Sequence, residues 1–328
     1  MRVAAQVRSV AGSSMTRLVL ALAVAAAVVV LAVTHWSAVV AGGDSLAGSD
    51  KEWLVPAGLA AVAVWVAGAV TQMGSMPMRA PIGRLLTVQV AASFANNVSP
   101  AGSGGIGVNI RFLRRYGLSS GAAGGAVGLN SLAGLVTHLL LLLAAVAISP
   151  AVARSIHVPV SWRSVATSAA YQVGWILLLV AGVLAVVLAR APWRRRLGGY
   201  IVRFLHEVRG LGTVLRHPGR AAALWLGSLS TPLLHGLILF AVLRSLGAST
   251  TVGTAVVVYL VVSSLSALVP SPGGLGALDV TLLAGLEAVG ISSSVAFGAV
   301  LGYRLITVWL PLLPGAVALA VLVRRRII

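Results

Sequence analysis

Ser99-Pro100-Ala101-Gly102-Ser103-Gly104-Gly105-Ile106-Gly107 interrupts one apolar stretch of the chain, and Pro270-Ser271-Pro272-Gly273-Gly274-Leu275-Gly276 interrupts another. Proline removes a helical hydrogen bond and glycine frees the backbone, so neither segment continues the helix that leads into it. Each is followed by a second echo. Gly117-Leu118-Ser119-Ser120 leads into Ala123, Gly125, Ala126, Val127 and Leu132, and Gly290-Ile291-Ser292-Ser293 leads into Ala296, Gly298, Ala299, Val300 and Leu305. The two halves differ by four residues in the distance from glycine loop to Gly-x-Ser-Ser. A broken segment with polar backbone, once per half of an apolar chain, predicts a transport path. The competing reading is chance self-matching in a chain rich in Ala, Val, Leu and Gly.

Hydrophobic residues make up 59% of the chain and charged residues 9%, whereas soluble domains carry about 25% charge. With a mean hydropathy of +1.00, this is the composition of an all-α polytopic membrane protein. Apolar runs near the ~20 residues needed to cross a bilayer fall at 18–38, 53–73, 122–148, 164–188, 221–246 and 292–323. The first follows Arg2, Arg8 and Arg17; it is longer than a signal-peptide core and reads as a retained anchor. The net charge of +18 lies at the ends of apolar runs, as the positive-inside bias requires, so nucleic acid is not an expected partner. Cysteine is absent, which excludes disulfides and thiolate metal sites.

The arginines set the orientation. Arg2, Arg8 and Arg17 place the N-terminus in the cytoplasm, the hairpin with Asp44, Asp50, Lys51 and Glu52 faces outward, and Arg79 and Arg84 return inside. Arg111, Arg114 and Arg115 follow soon after the first glycine loop, so the run entering at Leu85 turns back at a tip near Gly104. The basic segment 190–220 is again inside, and Arg324, Arg325 and Arg326 end the chain there. The second hairpin then enters from outside, turns at Gly273-Gly274 and returns near Glu287. The expectation is six full spans and two oppositely oriented re-entrant hairpins, an inverted repeat within a single membrane domain over 1–328. Its parts are an N-terminal hairpin at 18–73, a first repeat at 85–188, a cytoplasmic amphipathic segment at 190–220 and a second repeat at 221–323. In that segment Leu197, Ile201, Phe204, Val208, Leu211 and Leu215 oppose Arg196, Arg203, Arg209 and Arg216, a pattern for lying on an anionic leaflet.

Ser93-Phe94-Ala95-Asn96-Asn97-Val98-Ser99-Pro100-Ala101, Gly104-Gly105, Asn109-Ile110-Arg111-Phe112-Leu113, Val269-Pro270-Ser271-Pro272-Gly273-Gly274-Leu275-Gly276 and Tyr303-Arg304-Leu305 resemble the flippase-like membrane family of the lysylphosphatidylglycerol synthase transmembrane region. The resemblance runs from about Thr87 to Pro314. In two-domain relatives the membrane half moves aminoacylated phosphatidylglycerol between leaflets and a separate soluble domain makes it. No such domain follows here before Ile328, so the resemblance implies translocation without synthesis, with a possible partner synthase encoded separately. It also implies an acidic residue after the Gly-Gly-x-Gly turn, a position filled by Asp279.

Few residues carry chemistry. Asp279 and Glu287 are the acidic residues of the second hairpin and its return limb, and Arg304 is the charge deep in the final run. An intramembrane charge costs about 2.5–3.5 kcal/mol on insertion scales, so Arg304 calls for a partner. Asp279 and Arg304 are expected to pair beside the path, gating it or holding a headgroup; the alternative is an architectural ion pair. On the first hairpin, Asn96 and Asn97 precede the break, Asn109 and Arg111 follow it, and Asn130 lies in the next helix. Amides and a guanidinium can replace the water around a phosphate and glycerol headgroup, assisted by backbone N–H groups at Gly104 and Gly105. Arg111, Arg114 and Arg115 share a helical face, with Arg114 and Arg115 read as inner-leaflet anchors. The candidate path therefore comprises Asn96, Asn97, Gly104, Gly105, Asn109, Arg111, Pro270, Gly273, Gly274, Asp279, Tyr303 and Arg304.

His138 and His235 lie within spans; interhelical hydrogen bonds are the expected role, a proton relay the alternative. No metal-ligand spacing, Walker loop or nucleophile elbow is present and no cofactor is expected. The leading function is translocation of a phospholipid, an aminoacylated phospholipid or a lipid-linked precursor, with an anionic phospholipid or lipid-linked substrate as partner. The alternatives are a membrane-embedded transferase on a lipid-linked donor and a non-transporting scaffold of an envelope-synthesis complex. The expected location is the cell membrane, multi-pass, with both termini cytoplasmic.

Overall fold

The computed structural model describes residues 46–99, 103–156, 216–267 and 277–328, together with Trp36, Val40 and Asp44. The described residues are helical throughout, without strands. Helices α1 (Lys51–Ser75), α2 (Ile82–Val98), α3 (Gly104–Arg115), α4 (Ser120–Ile148) and the short α5 (Pro150–Ser155) come first. Then follow α6 (Pro218–Ser245), α7 (Val252–Ala267), α8 (Ala277–Ala288), α9 (Ser293–Arg304), a π turn (Leu305–Trp309) and α10 (Leu310–Arg324). The apolar runs expected at 53–73, 122–148, 221–246 and 292–323 correspond to α1, α4, α6 and the continuous Ser293–Arg324 helix, each long and apolar enough to cross a membrane. The runs at 18–38 and 164–188 lie outside the described residues except for Trp36, as does 190–215. The end of the basic segment is the start of a span: Pro218, Gly219 and Arg220 open α6.

The helices between these spans are too short to cross. With 17 residues in α2 and 12 in α3, at ~1.5 Å per residue they reach about 25 and 18 Å against a ~30 Å hydrocarbon core. They fold back antiparallel: Asn96 meets Gly105 and Gln89 meets Asn109. Helices α7 and α8 do the same, with Gly285 pressed against Val258 and Val262.

The two hairpins open toward opposite ends of the bundle. Arg84 Nη1 donates to the Tyr116 hydroxyl at 2.8 Å and Arg220 Nη2 to the Pro77 carbonyl at 2.8 Å. Met76, Leu113, Leu322 and Ile328 share one buried cluster. One end thus gathers Arg79, Arg84, Arg114, Arg115, Arg220 and Arg324 to Arg326. At the other, Asp50 N–H donates to the Ser245 carbonyl at 2.9 Å, and Leu46, Leu243 and Leu286 form the second cluster, backed by Val289 and Ile291. That end carries Asp50, Lys51, Glu52 and Glu287, with Arg244 over the Trp53 ring at 5.3 Å.

Between the hairpins, α1 and α6 form the most extensive helix pair. A Cβ at Gly74 would lie 2.2 Å from Leu224 N, and one at Gly227 would lie 2.5 Å from Thr71 Oγ1. Small residues let the two backbones touch, the usual way spans associate without a hydrophobic drive.

The two Gly-x-Ser-Ser echoes of the sequence have matching local structure. Both α3 and α8 end in a left-handed glycine, Gly117 at φ 92° and Gly290 at φ 86°. Leu118 N–H then bonds the Leu113 carbonyl at 3.2 Å, and Ile291 N–H the Leu286 carbonyl at 3.1 Å, the same helix-ending turn. Ser119 and Ser292 occupy the N-cap positions of the long helices that follow, with only the Ser119 side chain accepting a backbone N–H, and Ala123, Ala126 and Val127 are buried like Ala296, Ala299 and Val300. In this frame Gly104 corresponds to Ala277, not to Gly273. The four-residue mismatch therefore falls before the hairpins' second helices: Gly104 and Gly105 form the first turn of α3, whereas Gly273 and Gly274 precede α8. Helix α3 begins at Gly104, the residue near which the sequence places the turn.

Candidate functional site

Asp279 sits in the first turn of α8, where the helix dipole favours a carboxylate. Arg304 closes α9 immediately before the π turn, a local widening that often marks functional positions. Arg304 Nε donates to Asp279 Oδ1, forming an ion pair. The Arg304 side chain is 9% exposed and that of Asp279 33%, so the arginine is the partner that depends on the pair. The pairing expected from the sequence is present.

Tyr303, buried beside Arg304, reaches across to α6. A hydrogen bond of 2.8 Å joins its hydroxyl to His235 Nδ1. The His235 ring stacks on Tyr259 of α7, with centroids 5.3 Å apart and planes at 13°. His138 Nε2 meets Ser264 Oγ at 3.0 Å, tying α4 to α7. Both histidines thus make the interhelical bonds expected of them.

His138, His235 and Tyr259 face a common space. A cavity of about 370 Å³ lies among α1, α2, α4, α6 and α7, lined also by Gln89, Asn130, Ser228 and Thr231. Its walls are cross-linked: Asn130 Nδ2 donates to Gln72 Oε1 at 3.0 Å and Gln89 Nε2 to Asn109 Oδ1 at 3.3 Å. Two buried groups, Gln72 Nε2 and Ser228 Oγ, have no hydrogen-bond partner among the described residues. Such groups are rare in an interior and mark where something polar is accommodated.

The first hairpin is used differently from the sequence expectation. Gly104 N–H donates to Ser99 Oγ at 2.6 Å and Gly105 N–H to Asn96 Oδ1 at 2.7 Å. Asn109 Nδ2 donates to the Gly105 carbonyl at 2.8 Å. Asn96 and Asn109 therefore close the hairpin, and the two N–H groups are already satisfied, so the expected headgroup cradle at Gly104 and Gly105 is corrected to an internal helix cap. The glycines are needed for close approach: a Cβ at Gly104 would lie 2.2 Å from the Ala95 carbonyl oxygen, and one at Gly105 2.6 Å from Asn96 Oδ1. Asn97 is half-buried on α2. Arg111 is exposed and lines, with Arg114, Arg115, Ser119 and Ser120, an open groove of about 700 Å³. It stands with the other two arginines, not with the asparagines. Pro270, Gly273 and Gly274 lie outside the described residues.

Gln72, Gln89, Ser228, Thr231 and Tyr259 were not singled out from the sequence, being uncharged polar residues scattered in apolar runs. Gln72 and Gln89 are amides at membrane depth and were the most findable. Among the described residues no group of three His, Asp or Glu is placed to hold a metal.

Residues 18–315 match the family model described as the lysylphosphatidylglycerol synthase TM region. No curated protein matches the chain.

Proposed function

The chain belongs to the family of the lysylphosphatidylglycerol synthase TM region, and on that premise we propose that it translocates a phospholipid, an aminoacylated phospholipid or a lipid-linked precursor between leaflets. The observation that carries this reading is the polar cavity walled by helices from both halves, flanked by hairpins that open toward opposite ends. A headgroup crossing hydrocarbon needs polar partners that replace its water, and alternating access works by moving one repeat against the other around such a site. The hairpins are re-entrant in this reading, the arginine-rich end is cytoplasmic and the protein resides in the cell membrane. The Asp279–Arg304 pair, joined through Tyr303 to His235, links the cavity to the start of α8.

A transferase needs a carboxylate free to act on a donor. Asp279 is engaged by Arg304 and Glu287 stands exposed at the end of α8, an arrangement that favours transport. The deciding experiment is reconstitution of the purified chain into liposomes with tail-labelled lipids and a membrane-impermeant quencher. Headgroup-dependent loss of protected lipid supports translocation, a new lipid product supports the transferase, and neither outcome supports the scaffold. Orientation is tested separately by single cysteines at Arg115 and Glu287 in this cysteine-free chain: labelling from opposite faces is expected, and labelling from one face overturns the inverted arrangement.

A further inference from the structure

Among the described residues no Asp, Glu, Lys or Arg lines this polar cavity. Its polar surface consists of amides and hydroxyls, Ser228 and Thr231 among them, with the rings of His138, His235 and Tyr259. Arg304 is outside the lining and is engaged by Asp279. A phosphate or carboxylate placed here would lose its hydration with no arginine or lysine among the described lining residues, the two imidazoles being already engaged by Ser264 and Tyr303, and an ammonium would find no carboxylate there; either transfer is costly. A hydroxyl both donates and accepts, and amide and hydroxyl side chains offer both roles in return.

The buried Ser228 Oγ lines this space at 4% residue exposure and has no partner among the described residues. Gln72 Nε2 repeats the pattern just behind Asn130. The Ser228 hydroxyl is therefore the unpartnered donor that faces an occupant bringing acceptors. The volume, about 370 Å³, falls at the small end of the ~300–1,000 Å³ range of small-molecule sites, and Tyr259 stacked on His235 offers an aromatic face to the C–H side of a sugar ring.

We propose that this cavity binds an uncharged, hydroxyl-rich lipid headgroup, the glycosyl group of a phosphate-free glycolipid, in preference to phosphate-bearing or aminoacylated headgroups. The inference rests on the translocation reading only for movement, and it replaces the charged substrates of that reading with an uncharged one. Binding is measured on the full chain in mixed micelles as the thermal-unfolding midpoint with monoglucosyldiacylglycerol, phosphatidylglycerol or lysylphosphatidylglycerol at equal mole fraction. The stabilisation that counts is the part lost in S228A, which removes no described protein contact and should unfold like the wild type without lipid. A second isosteric variant, T231V, guards against an unexpected folding defect.

The glycolipid is expected to give the largest S228A-sensitive stabilisation, with its affinity roughly 5–10-fold weaker in S228A, the worth of one hydrogen bond. Equal or greater S228A-sensitive stabilisation by a charged lipid overturns the proposal, as does none by the glycolipid. The same lipids, tail-labelled in proteoliposomes, separate the two claims. Glycolipid that binds but does not move leaves the site standing and removes translocation; charged lipids that move while the glycolipid neither binds nor moves do the reverse.

Discussion

The long helices that follow the two hairpins begin alike and then diverge at one depth. Matched through their Gly-x-Ser-Ser starts, Asn130 and Ser131 of α4 correspond to Tyr303 and Arg304 of α9. In the first half this polar pair lines the cavity, and Asn130 bonds Gln72 of α1. In the second it is sealed, Tyr303 against His235 of α6 and Arg304 against Asp279, and the helix runs into a π turn where α4 stays regular. The hairpins diverge in the same sense. The first is closed by its own amides and glycines, while the second reaches a buried charge. The first half thus carries an open polar face at this depth and the second a locked one.

The largest expected effect comes from unlocking the second half. Asp279→Ala leaves Arg304 buried without its anion, which should cost about 3–5 kcal/mol, read as a lower unfolding midpoint in detergent. Exchanging the charges, Asp279→Arg with Arg304→Asp, restores the pair and should recover most of that loss. If translocation also recovers, the pair is architectural; if it stays lost, the polarity of the pair serves the path.

The first half breaks by sterics. Gly104→Ala forces a Cβ onto the Ala95 carbonyl, and opening the α2–α3 hairpin to admit it should cost about 2–3 kcal/mol. Gly107→Ala is the control in the same helix: nothing lies within 4 Å of its Cβ position, so alanine should stabilise α3 by about 0.5–1 kcal/mol. Equal effects from the two would mean that the hairpin is not closed by glycine contact.

These assignments were unevenly legible in the sequence. Asp279 and Arg304 were readable because a charge in an apolar run demands a partner and few candidates existed. The hairpins were readable because Pro and Gly stop helices by local chemistry. The role of Gly104 and Gly105 was misread for the converse reason: a glycine pair looks the same whether its N–H groups meet a phosphate or Ser99 and Asn96, and only packing decides. The cavity was hidden because its polar groups are spread over five helices, three of them on α4 and three on α6. Periodicity gives each helix a face without saying which faces meet.

A smaller effect tests the amides. Asn96→Ala removes the acceptor of Gly105 N–H at the start of α3, and an unsatisfied donor there should cost about 1–2 kcal/mol. Asn96→Asp keeps the acceptor and should lose less. A headgroup role for Asn96 predicts instead that the alanine variant unfolds normally and fails only in transport.

The smallest effect on folding is expected at the arginine groove, where the two halves differ most in charge. Arg114 and Arg115 are exposed at the end of α3, so Arg114→Gln with Arg115→Gln should change stability by no more than about 0.5 kcal/mol per residue. Their surroundings matter more for the membrane surface: a basic residue beside an anionic leaflet is worth about 1 kcal/mol, screened within a Debye length. The double variant should therefore lose anionic-lipid retention during delipidation, in a salt-dependent way, while the Ser228-dependent glycolipid response is unchanged. Loss of both responses together would mean that the groove and the cavity belong to one route, and the open face of the first half would then extend from α4 to the arginine-rich end.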